Sequence, residues 1–273
     1  GGIIGTKMKI GIVGCSGRMG RMLIIAAQER TEAELTAGTE LPNSDSIGLD
    51  LGRLAGIQPV GATVGSDPEN LFAAVDCVID FTIPDATVNH ARLAKETGTS
   101  LVIGTTGLDE LHLKALKEAG RGAAVVYSGN MSLGVNILLG LVEQVARFLS
   151  SDYDIEVLEM HHKHKIDAPS GTALMLGRAA AKGRGSVSEG NSVMSRVGET
   201  GPRQSGAIGY ATLRGGDVIG EHSVIFAGAG ERIELTHKAS DRALFAKGAV
   251  HAALWTKGQA PGLYNMGHVL GLN

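Results

Sequence analysis

Residues 11–20 read Gly11-Ile12-Val13-Gly14-Cys15-Ser16-Gly17-Arg18-Met19-Gly20, between an apolar run at 9–13 and a helical period at 18–28. A strand that turns through glycines straight into a helix opens a dinucleotide fold. Bare backbone N–H groups and the positive helix end then face a pyrophosphate. Gly14 is expected to permit the tight turn, Gly17 the close approach of the phosphates, and Gly20 the contact of helix with sheet. The spacing is GxxGxxG, with Ser16 where the stricter GxGxxG fingerprint has its middle glycine. Serine supplies the same backbone N–H if its φ stays negative. Glu40 closes the next apolar run, 35–39, where an acid accepts hydrogen bonds from the adenosine ribose.

Outward from this unit, apolar runs at 60–64, 77–82, 100–104 and 123–128 alternate with helical stretches that open at Pro68 behind Asp67 and span 86–97 and 109–119. Pro84 is read as a stop after the second of these apolar runs, 77–82. The runs are continuous rather than alternating, which suits parallel strands covered on both faces. The expected fold is α/β, a Rossmann-like doubly wound parallel sheet. After Asn130 the pattern changes. A helix at 135–149, a strand at 154–160 and a helix at 171–182 precede strand-like stretches at 207–214, 218–226 and 232–237. Hairpin-linked strands after an α/β half predict a second α+β domain with a mixed or antiparallel sheet. Residues 183–205, rich in Gly and Ser without apolar period, are expected as a mobile loop. Ser240 is expected to cap a last helix running to about Trp255, which is expected to rejoin the first domain.

Composition bounds the function. The chain has 273 residues, 40 of them glycine, with 43% hydrophobic residues, 4% aromatics and a net charge of −3. Nothing here is a global basic field for nucleic acid. The apolar stretch near 135–142 is too short to span a bilayer, and residues 1–7 read as a leader or tag remnant, so a cytoplasmic protein is expected. Cys15 and Cys77 make neither a disulfide framework nor a metal ribbon.

The chemistry concentrates at His161, His162, His164 and Lys165, directly after a strand. Asp167-Ala168-Pro169-Ser170-Gly171-Thr172 then leads into a helix with Ser170 as N-cap. Cationic and proton-bearing side chains meet a helix start whose N–H groups suit a carboxylate. Histidine can deliver a proton near neutral pH. A metal site is disfavoured: no cysteine or paired carboxylate completes a shell, and His161 and His162 would face opposite sides of a continued strand. Gly104-Thr105-Thr106-Gly107 and Ser128-Gly129-Asn130-Met131 each follow a strand at its C-terminal end, where ligands bind in open α/β sheets. Asn130 is read either as a carboxamide partner or as a turn former. His90, His112, His251 and His268 are taken as surface or helix residues, and His222 and His237 as packed core histidines.

Beyond these readings, the chain resembles the 4-hydroxy-tetrahydrodipicolinate reductase (dihydrodipicolinate reductase) family over nearly its whole length. The resemblance is carried by residues 13–20, Asp80-Phe81-Thr82, residues 102–107, Asn130, and above all Glu159-Met160-His161-His162-Lys163-His164-Lys165-Ile166-Asp167-Ala168-Pro169-Ser170-Gly171-Thr172-Ala173. Residues 215–222 and 236–240 also fit. The resemblance implies a dinucleotide-binding domain of residues 1–132 and 241–273, a substrate-binding and oligomerisation domain of residues 133–240, a closing hinge and a homotetramer. It implies NADH- or NADPH-dependent reduction of a small cyclic dicarboxylate in lysine and diaminopimelate synthesis. His161 would be the proton donor or acceptor and Lys165 a second donor; His162, Gly171 and Thr172 would hold carboxylates. Gly14, Cys15, Ser16, Gly17, Arg18, Met19, Glu40, Gly104, Thr105, Thr106, Ser128, Gly129, Asn130 and Met131 would line the cofactor. Many relatives carry Arg after the acid, where it pairs with the 2′-phosphate of NADPH; here Leu41 stands there, which favours NADH. Two other classes compete. One is another two-domain nicotinamide oxidoreductase, such as a semialdehyde or sugar dehydrogenase; an acyl-forming semialdehyde enzyme needs a nucleophilic cysteine that neither Cys15 nor Cys77 provides. A nucleotide sensor would not need the His161 to Lys165 run.

Overall fold

Strand β1 (Met8–Val13) is buried everywhere but at Lys9, as a strand covered on both faces must be. The computed structural model describes residues 5–186 and 191–272, and these fall into two compact units. The first runs to Ser132 and regains the chain at Ala243–Gly271; the second is Leu133–Arg242 with Leu272.

In the first unit, β1 pairs in parallel with β2 (Ala33–Thr39) and β4 (Cys77–Asp80). With β3 (Val64–Gly65), β5 (Ser100–Ile103), β6 (Ala124–Tyr127) and β12 (Gly262–Tyr264) they form a 7-stranded parallel sheet of order β12-β6-β5-β4-β1-β2-β3. The order reverses between β1 and β4, and ligands bind beyond the strand ends at such a switch point. Helix α1 (Arg18–Gln28) keeps the predicted bounds and buries Leu23, Ile24, Ala26 and Ala27. Pro84 does not simply end β4. It occupies the first turn of α4 (Pro84–Thr97), where its missing N–H costs no bond. The strand expected at 60–64 is reduced to β3, preceded by a single bridge between Asp50 and Thr63. The last long helix, α8 (Ala243–Trp255), starts beyond the predicted Ser240 cap and packs on α1, β4 and β5.

The second unit is a 5-stranded mixed sheet of order β11-β10-β7-β9-β8. Strand β10 (Gly220–Gly228) lies antiparallel to β7 (Asp154–His161) and β11 (Glu231–Ala239), while β9 (Ile208–Arg214) runs parallel to β7. Helices α6 (Leu133–Phe148) and α7 (Gly171–Arg184) pack together, and Leu176, Val142, Ile155, Val157, Val224 and Phe226 fill the core. The segment expected as a mobile loop is partly ordered. β8 (Ser192–Val193) pairs with β9, and Arg203 donates to the carbonyls of Ile155 and Ala207 and to Asp154. Those anchors lie far off in sequence, so no local period announced them. Residues 187–190 of that stretch lie outside the described residues.

Candidate active site

In the first unit the glycine loop adopts the predicted turn. Gly14 has φ +63°, and a Cβ on Gly20 would lie 2.4 Å from the Gly14 carbonyl oxygen, so neither position accepts a side chain without rearrangement. Gly17 and Arg18 are exposed at the start of α1. Ser16 donates from its amide and its hydroxyl to Glu40 Oε1 at 3.0 and 2.6 Å, and Leu41 N donates to Glu40 Oε2 at 3.2 Å. The loop and the acid are thus one assembly. Leu41 is 71% exposed. Cys15 turns inward and is fully buried; burial, then the Glu40 charge, pushes its thiol up to about 12.

The loop after β5 is held from beneath. Thr105 is buried, and its hydroxyl meets the Thr87 hydroxyl at 2.8 Å. Beneath it Asp80, fully buried, accepts from Thr82 N and Oγ1, from Thr87 Oγ1 and from the His90 ring at 2.8 Å. Burial opposes the Asp80 charge, but the His90 and threonine hydrogen bonds outweigh it and hold the carboxyl below its ordinary range. Of the two readings, surface or helix residue, the structure bears out the second: His90 lies in α4 and is buried, as the partner of the acid that ends the preceding strand. Gly104 and Thr106 flank this fixed point. After β6, Ser128 Oγ donates to the Asn130 carbonyl, and Asn130 Oδ1 accepts from Ser132 N at 2.8 Å, so Asn130 shapes the turn that precedes the buried Met131. Gly129 is exposed at the same turn.

In the second unit, β7 buries Ile155, Val157 and Glu159 on one face. His161, two residues on, shares that face by the period of a strand. Glu159 is 1% exposed, and four donors satisfy it. Oε2 accepts from His161 Nδ1 at 2.6 Å and from Arg214 Nη1 at 2.8 Å; Oε1 accepts from Arg214 Nη2 and Ser170 N, each at 3.0 Å. These bonds outweigh the cost of burial and keep its carboxyl below the ordinary range. His222 stands directly across the sheet from Glu159. Its Nε2 meets Ser170 Oγ at 2.9 Å and its ring lies edge-on to His161, 5.1 Å between centroids. Burial, then the His161 charge, lowers His222 to about 4, so it is neutral at physiological pH.

Ser170 caps α7 as predicted, accepting from Ala173 N at 3.0 Å, and the exposed Gly171 leaves the helix start open. Lys165 Nζ pairs with Asp167 Oδ1 at 2.7 Å. His162 lies beyond the end of β7. Desolvation, then the neighbouring Arg242, His161, His164 and Lys165, lower its basicity. Thr172 follows Gly171 in the first turn. Among the described residues no group of His, Cys, Asp and Glu is arranged to hold a metal, and no helix is long and apolar enough to cross a membrane.

Residues 8–131 match the family described as dihydrodipicolinate reductase, N-terminus, and residues 134–270 match dihydrodipicolinate reductase, C-terminus. The chain belongs to the dihydrodipicolinate reductase family. It is 56% identical over 267 residues to the 4-hydroxy-tetrahydrodipicolinate reductase of Afipia carboxidovorans, covering 98% of each chain. It is 54% identical over 267 residues to 4-hydroxy-tetrahydrodipicolinate reductase 1 of Mesorhizobium japonicum, covering 97% of this chain and 98% of that one. The fold is that of the dipicolinate-bound dihydrodipicolinate reductase from Paenisporosarcina sp. TG-14, with a TM-score of 0.75 at 23% identity, over 95% of this chain and 98% of that one.

The sequence reading gave no role to Arg214 or to the Asp80–His90 pair, and none to His222 beyond packing. His222 looked like a packed core histidine, and its burial bears that out; the hydrogen bond to Ser170 was invisible because 52 residues separate them. Glu159 stood inside the most specific segment without a role.

Proposed function

We propose that the chain is a 4-hydroxy-tetrahydrodipicolinate reductase, forming tetrahydrodipicolinate in lysine and diaminopimelate synthesis with NADH or NADPH. The observation that carries this reading is the second unit's cluster. An imidazole fixed on a buried carboxylate, an ammonium at Lys165 and an open helix start at Gly171 stand together, in a chain matching the family end to end.

A cyclic dicarboxylate asks for cations and N–H donors, and an added hydride must be matched by a proton. His161 supplies that proton, with Lys165 as a second donor. His162 and the backbone of Gly171 and Thr172 hold the carboxylates, aided by the helix dipole. The glycine loop fits a dinucleotide: its turn excludes side chains at Gly14 and Gly20, and Glu40 is set rigidly beside it. Gly14, Cys15, Ser16, Gly17, Arg18 and Met19 receive the pyrophosphate, Glu40 the ribose, and the backbones of Gly104, Thr105, Thr106, Ser128, Gly129, Asn130 and Met131 the far end. When bound, the reduced nicotinamide supplies the hydride. The exposed Leu41 offers no cation to a 2′-phosphate, which supports NADH as the preferred donor. Residues 133–240 serve as the substrate-binding and oligomerisation domain of a cytoplasmic homotetramer.

Lys165→Ala and His161→Gln test the assignment. Each should lower kcat/KM by about 100-fold or more while leaving the Kd for NADH within about twofold. Unaltered turnover in either variant removes that residue from the mechanism.

A further inference from the structure

Glu159 occupies a position in β7 that the strand's own period assigns to the core, in line with Ile155 and Val157. A carboxylate there is retained only if its charge is matched and its lone pairs are used. Both conditions hold. Arg214 neutralises it with two hydrogen bonds, and the two remaining contacts go to His161 Nδ1 and to Ser170 N at the start of α7. One side chain therefore grips both the imidazole and the helix start that the proposed function uses.

The donor set also decides where the proton sits on His161. An ionised carboxylate only accepts, and Arg214 and Ser170 N only donate. At 2.6 Å the His161 Nδ1 must then carry hydrogen, so a neutral His161 bears its lone pair on Nε2, the nitrogen that gains and loses the second proton. The remaining surroundings leave that assignment intact. His222 is neutral and bonded to Ser170, and Gly220 presents no side chain toward His161 Nε2, where a Cβ would come within 3.1 Å.

We infer that Glu159 is a positioning residue that fixes His161 as the Nδ1–H tautomer, so that the exchangeable proton is delivered from Nε2, and that ties this ring to the carboxylate-binding start of α7. The inference rests on the proposed role of His161 as proton donor.

The test is Glu159→Gln. A glutamine amide set with its NH2 on the Oε1 side would face two obligate donors, Arg214 Nη2 and Ser170 N. Turned the other way, its NH2 faces Arg214 Nη1 and His161 Nδ1, and His161 can release that hydrogen and accept instead. The variant should therefore reverse the tautomer. Side-chain 15N–1H correlation spectra of the full chain should show His161 as Nδ1–H in the parent and Nε2–H in Glu159→Gln. The kcat/KM should fall by about 10-fold to 100-fold, with the Kd for NADH within about twofold. A parent ring protonated on Nε2 when neutral overturns the inference whether or not the variant folds, and so does a variant with unchanged kcat/KM. A parent with the Nδ1–H tautomer but no reductase activity overturns the functional reading instead, and the two failures are thereby told apart.

Discussion

Ser16 donates from both its amide and its hydroxyl to a single oxygen of Glu40, at 3.0 and 2.6 Å. A residue that looked like a mild departure from the glycine fingerprint thus has a task that glycine's missing side chain could not perform. It holds Glu40, the acid proposed to face the ribose, in register with the glycine loop. Ser16→Ala keeps the amide bond and loses the hydroxyl bond, worth about 1 kcal/mol. The Kd for NADH should rise roughly fivefold in a fluorescence titration. An unchanged Kd would mean that the amide alone fixes Glu40.

Leu41 is an exposed aliphatic side chain next to that acid. Leu41→Arg places a guanidinium where a 2′-phosphate can be met by paired hydrogen bonds. NADPH should bind about tenfold more tightly, ~1.4 kcal/mol, with NADH little affected. Equal changes for both cofactors would show that the position does not read the phosphate.

His222 titrates near 4 in the fold against an ordinary value of 6.5. Between those values the unfolded ring binds a proton that the folded ring refuses, so stability rises with pH across this window. The contribution is complete above about pH 6.5 and is lost as pH falls toward 4, ~3 kcal/mol in all. By denaturant unfolding, lowering the pH from 7 to 5 should cost the parent about 2 kcal/mol more stability than it costs His222→Gln. Equal losses in the two proteins would contradict a neutral buried ring.

Gly220 faces the proposed proton-bearing nitrogen of His161, with 3.1 Å left for a Cβ. Gly220→Ala must shift the ring by a few tenths of an ångström or displace β10. Turnover should drop about tenfold with the Kd for NADH unchanged, since misplacement of a reacting group is costly. Full activity would show that the ring has room to move.

Most of the architecture was open to sequence reasoning because its signals are local. Helix α1 was bounded by a glycine loop and an apolar period, and its ends were read as they stand. Asp67 caps the helix at Pro68, and Ser170 caps α7. Strand β12 is only Gly262–Tyr264 and gave no period to detect, though it completes one edge of the sheet. The site divided in the same way. His161, His162, Lys165 and Gly171 are contiguous enough to be noticed together. Arg214 lies 55 residues from Glu159, and His90 reaches Asp80 from the second turn of α4 only once that helix is placed after β4. Such pairings exist only once the strands are in register, and no residue type announces them alone.

The most direct test of the central claim follows loss of reduced-nicotinamide absorbance, with NADH and NADPH in parallel. Substrate is generated in place from pyruvate and aspartate semialdehyde by the preceding synthase. The account predicts oxidation that depends on the synthase and is faster with NADH. Binding of both cofactors without synthase-dependent oxidation would contradict it, leaving the nucleotide fold intact and the substrate assignment wrong.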